Sequence, residues 1–373
     1  MPIRCCPSCE QRLLFEARIC DGCAKAVGFH PVADRFLAFD EDSGQWLDRE
    51  GACHGLAYCS NARIGVCNWL VAIDDPEQRC GACRLNRTIP DLSVAGVLDR
   101  WRIIEDAKRR LVYGLMRLGL PVSASPGHEP PRFDFLYDPV AEAGAAPQWL
   151  TGHAGGVITL NVIEADDVAR ERIRRDLGEP YRTVLGHLRH EIAHYYWNRL
   201  IQHTPDLYRF RALFGDETAN YQAALARYYG SGAPAGWSEA FISAYATMHP
   251  WEDFAETFAH YLHLVDTLAS LCDAGVAFGG VSAPMLDPYR ADISQIAAAW
   301  IPAAFALNEV CRSMGQRDLY PFSLSPAVML KLDYIHRLVS FAAGRWAPGH
   351  NERAEIRAVI AALAPGVQQS VAP

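Results

Sequence analysis

The sequence predicts an α+β fold: a mostly helical domain with a small sheet, preceded by a cysteine-rich module. Three observations predict it. Ten of the twelve cysteines lie before residue 84, and only Cys272 and Cys311 come later. Two short apolar runs, Phe133–Tyr137 and Val157–Val162, have the composition of strands. From Val94 onward, long segments repeat apolar residues at three- and four-residue steps, the period of a helix with one buried face.

At 373 residues the chain is long enough for roughly two domains, each with its own core. Hydrophobic residues make up 50% and charged residues 21%, which excludes a mostly disordered chain. The net charge of -8 and a pI near 5.9 argue against a protein built to hold nucleic acid, which needs a positive surface. No apolar run reaches the roughly 18 residues of a membrane span, so no membrane association is expected. Met1–Cys6 lacks the apolar core of a secretory signal, and a cytoplasmic location is expected.

In a reducing compartment, dense cysteines mean metal more often than disulfides. Cys6-Pro-Ser-Cys9 and Cys20-Asp-Gly-Cys23 form a CxxC pair of knuckles, able to set four thiolates around Zn²⁺. Cys59, Cys67 and Cys80-Gly-Ala-Cys83 make a second four, although spacing alone leaves open an exchange of partners between the sets. Cys5, Cys53 and His54 are spare candidates, read as ordinary residues near the sites. Residues 1–92 hold ten Lys/Arg against thirteen Asp/Glu, which favours a structural or protein-docking ribbon over a nucleic-acid reader.

Val97, Trp101, Ile104, Ala107, Leu111, Leu115 and Leu118 give the first helix its apolar stripe. Asp106–Arg110 fills the polar side, and Gly119-Leu-Pro121 stops it. Further helices are expected over Ala165–Leu177, Tyr181–Ile201, Pro250–Leu268, Ile293–Met314 and Pro326–Ala343, with 366–373 a flexible tail.

The chemistry lies in His190-Glu191-Ile192-Ala193-His194. Histidines four apart stack on one helix face and can bind one Zn²⁺, while Glu191 sits beside the site as general base for a zinc-bound water. A catalytic zinc needs a third protein ligand. Tyr195–Leu200 does not continue a metzincin pattern, and His203 is a weak candidate. His249-Pro-Trp-Glu252-Asp-Phe-Ala-Glu256 is the better source. Glu252 and Glu256 share a face of an apolar helix, and small Ala255 and Ala259 allow close approach to the HExxH helix. Glu252 is read as ligand and Glu256 as acceptor for a ligand histidine N–H. Tyr245 is the candidate oxyanion donor and His249 the alternative, close behind the ligands.

These residues resemble the bacterial zinc-binding metallopeptidases that carry an N-terminal zinc ribbon. The resemblance rests on the two cysteine sets with Cys67-Asn-Trp69, on Thr151–Asn161 and Glu164–Asp167, and on Gly178–Trp197, Phe214–Glu217 and Ser243–Leu262. More distantly, HExxH followed by Tyr…Glu-x-x-Ala-Glu-x-Phe is similar to the lethal-factor-like branch of the gluzincins. There the first Glu of the second motif is the zinc ligand, and the Tyr seven residues earlier assists the oxyanion, which correspond to Glu252 and Tyr245.

The expected organisation is a zinc ribbon with two four-cysteine sites over 1–92 and a zincin-like metallopeptidase domain over 93–365. The sheet is expected beside the HExxH helix, with Val157–Val162 its edge strand near the metal. The expected function is peptide-bond hydrolysis with one catalytic and two structural Zn²⁺. Partners are a peptide or protein substrate and a protein docked on the ribbon. The alternative is a non-catalytic, zinc-stabilised protein-binding module with a vestigial HExxH site.

Overall fold

The computed structural model describes residues 4–125, 127–139, 151–176, 182–276 and 286–345. The chain divides into two compact units. The first comprises residues 1–113, 132–152 and 157–170, the second residues 114–131, 153–156 and 171–373.

In the first unit, β1 (Val27–His30), β2 (Arg35–Asp40), β3 (Gln45–Leu47) and β4 (Ala52–Cys53) form an antiparallel sheet in that order. β5 (Leu56–Tyr58) and β6 (Leu70–Ala72) pair antiparallel. Strands this short cannot build a core from two faces, so aromatic rings supply it. Phe15, Phe29, Phe36 and Trp69 are fully buried, with Phe29 5.4 Å from Phe36 and 5.7 Å from Trp69 between ring centroids. Gly28 is required in β1, because a Cβ there would lie 2.5 Å from Leu70 Cδ2.

β7 (Asn86–Thr88), β8 (Arg132–Leu136) and β10 (Val157–Asn161) run parallel, with Ile158 opposite Phe133 and Leu160 opposite Phe135. All four side chains are fully buried, which is why both runs are apolar. The sheet order β7-β8-β10-β9 places β10 inside. Its outer neighbour is the strand that begins at Gly152, β9 (Gly152–Ala154), so the edge expected at Val157–Val162 belongs to β9 instead. A three-residue strand with a Gly and a single apolar residue carries too little pattern to be seen in sequence.

α1 (Val97–Arg117) buries Val97, Trp101, Ile104, Leu111 and Leu115 as its periodicity requires. Part of its polar side lies inside the protein: Glu105, Lys108 and Arg109 are buried. Lys108 Nζ meets Glu105 Oε1 at 2.6 Å, Glu105 accepts from Asn86 at 2.9 Å, and Arg109 donates to the Val66 carbonyl. Buried charges persist only when paired in this way. α2 (Asp167–Asp176) completes the helical ends of this stretch; Leu177 and Gly178, expected to close it, lie outside the described residues, as does 366–373.

The second unit is helical: α3 (Val184–Leu200), α4 (Asp206–Phe214), α5 (Tyr221–Ser231), α6 (Pro250–Asp273), α7 (Ile293–Ser313) and α8 (Pro326–Ala342). Thr183 caps α3 by accepting from Gly186 N at 2.9 Å, and Pro250 takes the first turn of α6, where a missing N–H costs nothing. α3 and α6 lie side by side. Ala255 and Ala259 are buried, and Tyr196 stacks on Phe258 at 5.7 Å. Trp197, Phe210, Phe214 and Phe254 extend this contact to α4. α8 anchors the start of α6 through a buried Lys331–Asp253 pair at 2.6 Å.

Candidate metal centres and their surroundings

Both cysteine quartets assemble with the partners read from spacing. Cys6, Cys9, Cys20 and Cys23 form one group and Cys59, Cys67, Cys80 and Cys83 the other; within each, the sulfurs lie within 4.8 Å of one another. Their close pairs are Cys6–Cys23 at 3.7 Å, Cys9–Cys20 at 3.5 Å and Cys67–Cys80 at 3.7 Å. These are far too long for disulfides, whereas a tetrahedron with 2.3 Å zinc–sulfur bonds has edges of about 3.8 Å. The donor set therefore fits Zn²⁺. Burial pushes the Cys6 thiol up to about 12; Cys20 lies at about 7, because N–H groups of Cys23 and Gly22 and the neighbouring thiols outweigh its burial. Cys5 and Cys53 belong to neither group.

The third group is His190, His194 and Glu252, all buried. α3 stacks the two histidines with Nε2 atoms 3.2 Å apart. α6 brings Glu252 Oε2 to 2.9 Å from His190 Nε2, and Oε1 to 3.6 Å from His194 Nε2. Three nitrogen and oxygen donors on zinc at 2.0–2.1 Å would be separated by about 3.3 Å, so this set also fits the ion. The second acid, one turn on, reaches the opposite side of the ring: His190 Nδ1 lies 2.7 Å from Glu256 Oε1, and Ser243 donates to Glu256 Oε2 at 2.6 Å. Between two carboxylates His190 is held well above its ordinary pKa despite burial. His194 Nδ1 finds no protein partner among the described residues, and its ring rests on Trp251 at 4.6 Å.

Glu191 meets His187 Nε2 at 3.3 Å. Burial alone would raise its pKa, but the His187 hydrogen bond and the nearby His190 hold it below the usual value. It is therefore an ionised, buried carboxylate beside the ligands. Tyr245 lies with its ring 6.0 Å from His190 and packs against Tyr228. Burial, and then the Glu252 charge, push its phenol far up, so it stays a donor. Both ring nitrogens of His249 are engaged by backbone groups. Its Nδ1 accepts from Trp251 N at 3.1 Å, capping α6, which leaves Nε2 to donate to the Ala219 carbonyl at 3.0 Å.

Sequence reasoning did not find Tyr221, which donates to Glu252 Oε1 at 3.1 Å, nor Ser243, nor His153, whose ring stacks 6.2 Å from His194. His187 carried a usable signal, since it stands four residues before Glu191 on the same helix face. The others come from separate elements, and no spacing rule reaches them.

A family model described as "Putative zinc-binding metallo-peptidase" matches residues 97–338, and a zinc-ribbon domain model matches residues 4–94. The chain belongs to this zinc-binding metallopeptidase family. It is similar to the uncharacterized protein Rv2568c of Mycobacterium tuberculosis and the uncharacterized protein Mb2598c of Mycobacterium bovis. Each is 42% identical over 355 residues, covering 93% of this chain and 98% of the relative. No solved structure matches. The ribbon match contains both cysteine groups and the metallopeptidase match contains His190, His194 and Glu252. Among the described residues no helix is long and apolar enough to cross a membrane.

Proposed function

We propose that the protein is a zinc-dependent peptidase of gluzincin type. The observation that carries this reading is the convergence of His190, His194 and Glu252 with an ionised Glu191 beside them. These three residues would hold the ion, and the two cysteine quartets would hold two structural ions, one at each. Zinc, when bound, supplies Lewis acidity and a water that is nucleophilic near neutral pH. Glu191 Oε accepts a proton from the attacking water and returns it to the leaving amine nitrogen. Tyr245 keeps its hydroxyl proton and donates it in a hydrogen bond to the developing oxyanion. Glu256 orients His190 through Nδ1. The ribbon, over 1–92, docks a protein, and the peptidase domain, over 93–365, takes an extended peptide in a reducing, cytoplasmic setting.

The test compares the native chain with Glu191→Gln on a mixed peptide library, with products read by mass spectrometry and metal by elemental analysis. Glu191 is not a ligand, so the variant should keep its zinc and fold. Loss of the base should lower cleavage by about 10²–10⁴-fold. Equal product sets from both proteins would leave the HExxH site with a holding role only, in a zinc-stabilised binding module.

A further inference from the structure

Tyr221 opens α5, at a distance in sequence from both metal-binding motifs. Its place is well fixed. Asn220 caps the helix by accepting from Ala223 N at 2.9 Å, and the Tyr221 ring leans on His249 at 5.3 Å. His249 is itself held at both nitrogens by Ala219 and Trp251. From this seat the Tyr221 hydroxyl donates to Glu252 Oε1 at 3.1 Å, while Oε2 is the oxygen nearest to His190. Tyr245 lies beside Tyr221, so two phenols and one carboxylate stand together.

We infer that Tyr221 is a positioning residue of the metal site: its hydroxyl occupies Oε1 of Glu252, the oxygen 3.6 Å from His194 Nε2, so that Oε2 is presented at His190 Nε2. The inference rests on Glu252 being a ligand. The physical reason is the freedom of a glutamate. Its carboxylate turns easily about the last torsion, a broad two-fold rotor, and can offer a cation one oxygen or both. A hydrogen bond at Oε1 removes that choice and leaves a single preferred donor. Partners that orient metal ligands typically contribute about 10–100-fold in affinity.

The test uses the full chain with its thiolate sites loaded, and measures zinc binding at the remaining site by competition with a chromophoric chelator. Tyr221→Phe should weaken zinc by about 10–100-fold at an unchanged melting temperature. Tyr245→Phe should leave affinity within about threefold, because Tyr221 keeps its hydrogen bond to Glu252 in that variant. In the Co²⁺-loaded protein, Tyr221→Phe should also shift the visible spectrum, as the freed carboxylate turns toward the ion. In a Glu252→Asp background the carboxylate is withdrawn by one methylene, so Tyr221→Phe should cost little more. Native zinc affinity in Tyr221→Phe would overturn the inference. So would a phenolate-to-metal absorption in the Cu²⁺ form that Tyr221→Phe abolishes, because Tyr221 would then be a ligand. If Glu252→Gln bound zinc as tightly as the native chain, the ligand assignment itself would fall, a result read from that variant alone.

Discussion

Two glutamates one helical turn apart contact the same histidine, and their removal should have different consequences. Glu252 faces His190 Nε2 at 2.9 Å, the nitrogen turned toward His194. Glu256 faces Nδ1 at 2.7 Å, on the far side of the ring. Glu256→Ala leaves all three donors in place but takes the acceptor from Nδ1–H and the partner from Ser243 Oγ. His190 is buried, so its unpaired N–H is costly, about 1–3 kcal/mol. The corresponding loss in zinc affinity is about 10–100-fold, or roughly 1.4–2.8 kcal/mol. Glu256→Gln keeps an oxygen for Nδ1–H and offers an amide N–H to the Ser243 hydroxyl, so its loss should fall at or below the lower end. Glu252→Ala removes a ligand and should exceed both. Zinc competition on the four proteins, at one pH and with melting temperatures in hand, gives the order native, Glu256→Gln, Glu256→Ala, Glu252→Ala. Should Glu256→Ala lose its zinc while Glu252→Ala retains it, the ligand assignment moves by one helical turn and the geometric reasoning fails.

The two thiolate sites should release zinc at different rates. Cys9 is exposed and Cys23 half-buried, whereas all four cysteines of the second group are buried, with N–H groups of Trp69, Cys80 and Cys83 on three of its sulfurs. A mercurial reagent should therefore free one zinc quickly and a second slowly out of about three in total, and Cys20→Ser should abolish only the quick phase; a single phase unchanged by Cys20→Ser would refute this. Away from the metal, burial lowers His336 to about 4, and the Tyr261 hydroxyl lies 3.1 Å from its Nδ1. The folded state thus prefers neutral His336, and stability should fall as pH drops below about 6.5, the unfolded value, levelling off near pH 4. The shift is worth on the order of 3 kcal/mol as an upper bound, and His336→Gln should flatten urea-derived stability over that range. Parallel pH curves for the two proteins would remove His336 from the account.

What the sequence made legible follows from how local each signal is. The CxxC knuckles, HExxH and the Glu252–Glu256 step are patterns of a few residues, and each fixes geometry within one turn or one helix. The pairing of α3 with α6 could also be read, since Ala255 and Ala259 mark where two helices come close. Less visible was whatever depends on several distant segments. β9 became the sheet edge because three residues around Gly152 pair with a longer strand, and a three-residue strand has no readable period. Lys108 and Arg109 are read in the sequence only as part of the polar side of α1, yet Glu105, Asn86 and the Val66 carbonyl meet them inside. Tyr221, Ser243 and His153 each come from a different element. His249 is read as a site residue from its place between Tyr245 and Glu252; its Nδ1 caps α6 and its Nε2 meets the Ala219 carbonyl, roles that no motif announces.

The charges buried around α3 and α6 favour the proposed catalytic reading over a merely structural one. Glu191, Glu252 and Asp253 are buried, and Glu256 is largely so. Asp253 is matched by Lys331, whereas the other three carboxylates are met, among the described residues, by His187, His190, His194 and neutral hydroxyls. Burying such an excess of negative charge is unfavourable unless a cation accompanies it. On the proposed reading two of the three acids are explained by that cation alone, Glu252 as its ligand and Glu256 as the acceptor behind His190. Glu191 is not: it neither ligates nor holds a ligand ring, and a site that only binds zinc would be more stable with an apolar side chain there. Its carboxylate stays ionised because His187 and the ligand histidines surround it, which is the state a proton acceptor needs. The cost of keeping that charge buried is one the proposed peptidase mechanism requires and a structural zinc site does not.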